Sequence, residues 1–269
     1  MNFDKAFDSA AGANMKTIRL GSTGGDVARL QRALNLKPDG VFGPLTEAGV
    51  RDFQRRAGLA ADGIAGPQTL AKLFDQPSRA LSANDITAAA DKLGIDEAGM
   101  RAVLAVESAG AGFLADGRPK ILFERHIMRR QLEAIGRDAD LLAKYLPEII
   151  NAERGGYLGG AAEHDRLHLA RQIDPDSAVC SASWGLFQIM GFHWATLGYE
   201  SPSVFAGAMA TDEAAQLDAF VRFMHANPAT HDALRNRRWA DFARLYNGPA
   251  YASNKYDTRL AEAYRRAVA

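Results

Sequence analysis

Apolar residues recur along this chain at helical spacing, in short bursts broken by Gly, Pro and Asp-Gly turns, and one such pattern occurs twice. Val27-Ala-Arg-Leu-Gln-Arg-Ala-Leu-Asn-Leu36 aligns with Val50-Arg-Asp-Phe-Gln-Arg-Arg-Ala-Gly-Leu59, a shift of 23 residues (27 to 50). The same shift aligns Pro38-Asp-Gly-Val-Phe-Gly-Pro-Leu-Thr46 with Ala61-Asp-Gly-Ile-Ala-Gly-Pro-Gln-Thr69. Each copy predicts a short amphipathic helix with an apolar residue beside Gln (Leu30-Gln31, Phe53-Gln54), then a D-G turn, then Gly-Pro opening the next helix. Gly suits the positive-φ turn positions and Pro the first helical turn. About three helices between Asp26 and Phe74 follow, with Gly-lined loops that leave a shallow groove.

Past Asp75-Gln-Pro-Ser-Arg-Ala-Leu81, where Pro and Ser break the pattern, the periodicity is mainly helical again. Ser82 or Asn84 caps a helix running to Leu93-Gly94, and Asp96 caps a second. On that second helix Met100, Val103, Leu104 and Glu107 share the face that a helix buries. A carboxyl there is partly desolvated and close to the carbonyl end of the helix, announced by Ser108-Ala-Gly110. Both effects disfavour the anion and raise the pKa, as a general acid requires. The position equally suits a side chain that frays into solvent or pairs with Arg125. After the D-G turn at Asp116, the alternation of Ile121, Phe123 and Arg125 against Leu122, Glu124 and His126 predicts a small β element that presents Glu124 on a strand. An ion pair of Glu124 with Arg125 or Arg118 is the plainer alternative. Ser183-Trp-Gly-Leu-Phe-Gln-Ile-Met190 predicts a helix capped at Ser183, with polar Gln188 between Phe187 and Ile189. Phe242-Ala-Arg-Leu-Tyr-Asn-Gly-Pro249 predicts a helix ending at Asn247-Gly248.

The expected class is mainly α. An N-terminal extension over 1–15 precedes a small three-helix repeat domain over 16–75, a linker over 76–81, and a larger α+β domain with a small β element over 82–269.

Composition adds little to this picture but excludes several function classes. A length of 269 residues, 47% hydrophobic and 24% charged, fits two globular domains. Lys plus Arg equals Asp plus Glu at 32 each, so no global field recruits nucleic acid or an anionic membrane. The single Cys180 excludes an internal disulfide framework and reads as a small buried thiol. Residues 1–16 lack the apolar core of a signal peptide, and no run approaches the roughly 18 apolar residues of a membrane span. His164 and His168 have the spacing of a metal pair without an evident third ligand, and read as a solvated helix face. Trp184, Trp194 and Trp239 read as core, with Trp184 also a candidate for lining a cleft.

Gly21-Ser-Thr-Gly-Gly-Asp-Val-Ala-Arg-Leu-Gln31 and Asp39-Gly-Val-Phe-Gly-Pro-Leu-Thr46 resemble the peptidoglycan-binding-domain family over some 55 residues (21 to 75). The resemblance implies wall contacts at Gln31, Asp39, Gly40, Phe42, Gln54 and Asp62. In the larger domain a helix ending in Glu-Ser, a β element, G-L-x-Q-I and Y-N-G occur in the order that resembles the lysozyme superfamily. The string Val106 to His126 resembles the N-acetylmuramidases of modular phage endolysins, over roughly residues 85–265. That resemblance implies Glu107 as catalytic acid, and Gln188, Tyr246 and Asn247 as saccharide contacts, with Ser183 and Trp184 beside them. Glu124 and Asp116 are the candidates for a second carboxylate, and the likeness to goose-type lysozymes implies inversion with Glu124 as base.

The implied reaction is hydrolysis of the β-1,4 bond between N-acetylmuramic acid and N-acetylglucosamine in bacterial peptidoglycan. It needs no metal or organic cofactor, because two carboxyls suffice. The expected protein is a monomer without nucleic-acid or stable membrane partners, made in a host cytoplasm and released through a holin pore for lysis. A lytic transglycosylase and a non-catalytic wall-binding or virion protein are the rival readings.

Overall fold

The structure, a computed structural model, describes residues 17–34, 36–74, 79–108, 110–114 and 116–269. The predicted extension over 1–15 and residues 76–78 of the predicted linker lie outside the described residues. By its contacts the chain forms two compact units, dividing between Ser78 and Arg79.

Among its described residues the first unit holds three helices, α1 (Gly25–Ala33), α2 (Pro44–Arg56) and α3 (Pro67–Phe74). Its core is small: Ile18, Val27, Leu30, Phe42, Val50, Ala65 and Leu70. A core of this size leaves much of the unit's order to its turns, and the turns are fastened twice in the same way. Gln31 donates from Nε2 to Asp39 Oδ1 (2.8 Å), Val41 O (3.0 Å) and Thr46 Oγ1 (3.0 Å), while Gly40 N–H donates to its Oε1 (2.9 Å). Gln54 makes the same set with Asp62, Ile64, Thr69 and Gly63, at 2.8, 3.0, 3.0 and 2.9 Å. Every partner is shifted by the repeat. Gly40 and Gly63 have φ of +73° and +76°, which a turn of this shape requires and side chains resist. Ile18 and Ala65 exchange backbone hydrogen bonds (3.1 and 2.9 Å) and close the unit.

The second unit runs through α4 (Ala83–Leu93), α5 (Glu97–Glu107), β1 (Ile121–Phe123), α6 (Arg125–Ala134), α7 (Ala139–Tyr145), α8 (Ala162–Ile173) and α9 (Pro175–Cys180). Then come β2 (Ala182–Trp184), β3 (Ile189–Met190), α10 (Pro202–Met209), α11 (Glu213–Ala226), α12 (Pro228–Arg235), α13 (Trp239–Asn247) and α14 (Tyr256–Val268). Ser82 and Asp85 form a capping box on α4, Gly94 ends that helix in the left-handed conformation, and Asp96 caps α5 through Gly99 N–H. α14 packs chiefly on α5.

The three strands form one antiparallel sheet in the order β1-β2-β3, with Ile121 opposite Trp184 and Trp184 opposite Ile189. Two expectations are corrected here. Ser183 lies within β2 instead of capping a helix, and G-L-F-Q is the turn of a hairpin. The strand that was to present Glu124 ends at Phe123, and Glu124 is the N-cap residue of α6. Behind β1, Glu163 is fully buried. It accepts from Phe123 N–H (3.0 Å), Leu158 N–H (2.6 Å), Gly159 N–H (2.9 Å) and Arg166 Nη1 (2.9 Å). Cys180 is a buried thiol, pushed up to about 11 by burial first and then by Asp176 and Asp174.

Candidate active site

Glu107 is the last residue of α5 and is half-buried, since the stripe that carries Met100 and Val103 into the core continues to it. Burial raises its pKa above the ordinary value of 4.5, against a hydrogen bond from Asn247 and the charge of Arg259, both of which lower it. Asn247 Nδ2 donates to Glu107 Oε1 at 3.0 Å. Asn247 ends α13, and Gly248, at φ +79°, turns the chain away after it.

The β2–β3 turn brings Gln188 to the same place. Gln188 has φ +50°, and its amide is held on both sides. Nε2 donates to Gly185 O (2.8 Å), and Oε1 accepts from the Ser183 hydroxyl (2.8 Å). One N–H and one lone pair of the amide remain for a ligand. Tyr246 Oη donates to Phe187 O (3.2 Å) and its ring stacks on Phe242, so Tyr246 fastens the turn as well as bordering the cleft. From behind, Gln216 accepts from Leu186 N–H (2.7 Å) and donates to Met209 O (2.8 Å). A Cβ at Gly185 would stand 2.6 Å from the Gln216 side chain, on a residue already at φ +70°. Only Gly fits there.

Together these residues border a cleft of about 630 Å³ that also takes in His193, Tyr256 and Arg259. Glu107 is the one carboxyl among its described lining residues. Burial holds the His193 imidazole below its ordinary pKa, which favours the neutral ring at pH 7.

Glu124 and Asp116 do not border this cleft. Glu124 accepts the Tyr157 hydroxyl on both oxygens (2.9 Å each), and Asp116 is exposed and paired with Arg118 at 2.6 Å. The Arg118 hydrogen bonds hold Asp116 below its ordinary pKa. Glu124 also lies 3.2 Å from His126 Nδ1, so both candidate carboxylates have partners outside the cleft lining. Trp184 is also corrected. Its indole N–H donates to Val179 O (3.1 Å) and its ring meets Phe205 edge-on. It borders a separate cavity of about 480 Å³ with Leu167 and His164. His164 is not wholly on a solvated face, because its Nε2 lies 2.8 Å from Pro119 O. Ser183 is buried and positions Gln188 instead of facing the cleft.

A model of the N-acetylmuramidase family matches residues 96–268, the stretch that builds all of this cleft. The chain belongs to the N-acetylmuramidase family. The muramidase is a glycoside hydrolase carrying, N-terminal to the catalytic domain, a match to a putative peptidoglycan-binding domain over residues 23–73. The crystal structure of the Burkholderia AP3 phage endolysin is 51% identical in sequence, covers 94% of this chain and 99% of its own, and superposes with a TM-score of 0.69. No curated protein matches the chain. The expected architecture, a helical wall-binding domain before a muramidase domain with a small sheet, is borne out.

Within the wall-binding unit, Gln31, Gln54 and Phe42 are each 2% exposed or less, so contact with a wall polymer is withdrawn for these three. Asp39 and Asp62 remain on the surface, and Gly40 is half-buried in the turn beside Asp39. Their pKa values are lowered by backbone and Gln hydrogen bonds, which keeps both anionic. His193, Tyr256 and Arg259 were not legible as site residues. His193 sits in a short 3₁₀ turn, and Tyr256 and Arg259 lie on an amphipathic helix whose pattern marks only its buried side.

Proposed function

We propose that Glu107 is the proton donor that cleaves the bond from N-acetylmuramic acid C1 to N-acetylglucosamine O4. The observation that carries this reading is a half-buried carboxyl with a raised pKa, held by Asn247 in a cleft it shares with Gln188 and Tyr246. Burial favours the protonated form of Glu107, and the leaving O4 receives that proton as the glycosidic bond breaks. Asn247 fixes the carboxyl and then accommodates the anion left behind. Gln188, with its amide fixed by Ser183 and Gly185, offers its spare N–H to the sugar.

The test is Glu107→Gln, which preserves shape while removing the proton. Turnover of purified peptidoglycan should fall by at least about 10²-fold, with the melting temperature little changed. A smaller loss would make Glu107 structural. Glu107 is the one carboxyl among the described lining residues, which favours attack by a water without a second carboxylate over inversion with Glu124 as base. Mass spectrometry of the digest separates this from a transglycosylase: hydrolysis leaves reducing ends, and attack by the sugar's own C6 hydroxyl leaves 1,6-anhydro ends.

The relative's description as a phage endolysin supports host-wall degradation for lysis, with wall engagement through the surface of the first unit around Asp39, Gly40 and Asp62. Monomeric action, without a nucleic-acid or membrane partner, and release from the host cytoplasm through a holin pore belong to the same reading. Among the described residues no helix is long and apolar enough to cross a membrane.

A further inference from the structure

The two walls of the cleft come from segments far apart in the chain, and the first turn of α11 fastens both. Gly112, on the loop that leaves Glu107, accepts from Lys120 N–H (2.8 Å), and Lys120 O accepts in turn from Gly185 N–H (2.7 Å) in the hairpin that carries Gln188. Glu213 accepts from Gly112 N–H (2.6 Å) on one oxygen and from Leu81 N–H (3.1 Å) on the other, while its own N–H donates to Arg79 O (2.7 Å). Gln216, only 1% exposed, accepts from Leu186 N–H of the hairpin and directs Nε2 to Met209 O and, at 3.4 Å, to Gly112 O. A Cβ on Gly112 would overlap the Gln216 carboxamide, as one on Gly185 would. Gly112 is not in the left-handed region, so what a side chain there would have to displace is Gln216.

We propose that Glu213 and Gln216 are positioning residues that set the gap between the Glu107 carboxyl and the Gln188 amide. The proposal rests on the reading of this cleft as the site of cleavage. Neither side chain borders the cleft, so each acts through the backbone that it holds. Their tasks differ. Glu213 holds the loop that leaves the acid, whereas Gln216 holds that loop and the hairpin together. Two N–H donors converge on Glu213, so both of its oxygens must accept, and a carboxamide there would set its own NH2 against one of them. A displacement of about 1 Å in a reacting group can cost about 10²-fold in rate, so ties of this kind act on catalysis without touching the glycan.

The experiment measures kcat, KM and their pH dependence for the full chain on soluble glycan strands. Glu213→Gln should lower kcat by about 10- to 10²-fold and leave KM within about twofold, because Gln216 still holds the hairpin. Gln216→Met keeps the length and loses the bonds, so kcat should fall and KM should also rise, by about three- to tenfold. In both variants a loosened loop admits water to Glu107, and the alkaline limb of kcat/KM should move to lower pH. Asn247, Tyr246 and Arg259, which also act on that carboxyl or feel it, are unchanged. Variants that keep the limb and KM of the parent, and lose rate only in step with the folded fraction seen by circular dichroism, overturn the proposal. Gly112→Ala leaves every buried donor and acceptor in place and should lower kcat at least about tenfold. Combined with Gln216→Ala it should be no worse than Gln216→Ala alone, since the obstacle is gone. An unchanged kcat in Gly112→Ala, or losses that multiply across the pair, overturns the proposal. Failure of the underlying reading shows separately, as turnover by Glu107→Gln.

Discussion

Burial gives the Glu107 carboxyl a reason to keep its proton, and Asn247 and Arg259 give it reasons to lose it. The acid acts only when protonated, so activity should fall as pH rises through its pKa. Asn247→Ala removes a hydrogen bond that favours the anion. The alkaline limb of kcat/KM should therefore move to higher pH, and a limb that stays or moves down would show that burial is not the leading effect. The linkage has a stability side. A carboxyl raised in the folded state stabilises below its unfolded value, and that contribution is lost as pH rises through the folded one. Glu107→Gln should accordingly show a flatter melting-temperature profile than the parent as pH rises above the ordinary carboxylate range. At this scale the sequence made Glu107, Gln188, Tyr246 and Asn247 legible, because each sits in a short motif with a recognisable order. It did not separate ligand-facing polar groups from turn-fastening ones. Gln31 and Gln54 look like exposed polar residues on a helix, and only their four bonds apiece reveal them as turn fasteners. Asp116 and Glu124 are ambiguous for the same reason: the sequence alone does not say which partner holds each.

Helices were legible where caps and apolar stripes agree, as at Ser82, Asp96 and Gly248. The hairpin was not, since three- and two-residue strands are too short to display alternation, and its turn depends on positive φ at Gly185 and Gln188. The two Gln networks make a prediction for their unit. Gln31→Ala leaves Gly40 N–H without its side-chain acceptor and frees Asp39 and Thr46, and should lower the first unit's unfolding free energy by about 1–3 kcal/mol. Gln54→Ala should cost a similar amount in denaturant titrations, because the bond set is the same. In the catalytic unit α8 holds β1 through Glu163, which accepts from Phe123 N–H, and Arg166, which donates to Phe123 O, while the two side chains pair with each other within α8. Glu163→Gln leaves Arg166 buried without its counter-charge and should cost about 3–5 kcal/mol. The backbone N–H bonds and Arg166 hold Glu163 below its ordinary pKa despite burial, so its contribution is present above that ordinary value and lost as pH falls through the folded one. Thermal melts of parent and variant should converge on acidification.

The division at Arg79 separates the wall-binding match from the cleft, since every cleft residue belongs to the second unit. A fragment starting at Arg79 should cut soluble glycan strands with the kcat of the full chain but clear intact sacculi more slowly, because only local concentration has been lost. Equal clearance by both would deny the first unit a wall-binding role. The duplicated pattern made the first unit legible from the sequence, whereas the closure of the second depends on pairs far apart in the chain that no local pattern records. Glu107 meets Asn247 across 140 positions, and α5 is covered by α14. That separation has a consequence during synthesis. A ribosome that has delivered Glu107 still has to deliver both Asn247 and the helix that covers the acid, so a nascent chain cannot assemble the cleft. Chains stopped before Asn247 or before α14 should therefore lack cutting activity on soluble glycan.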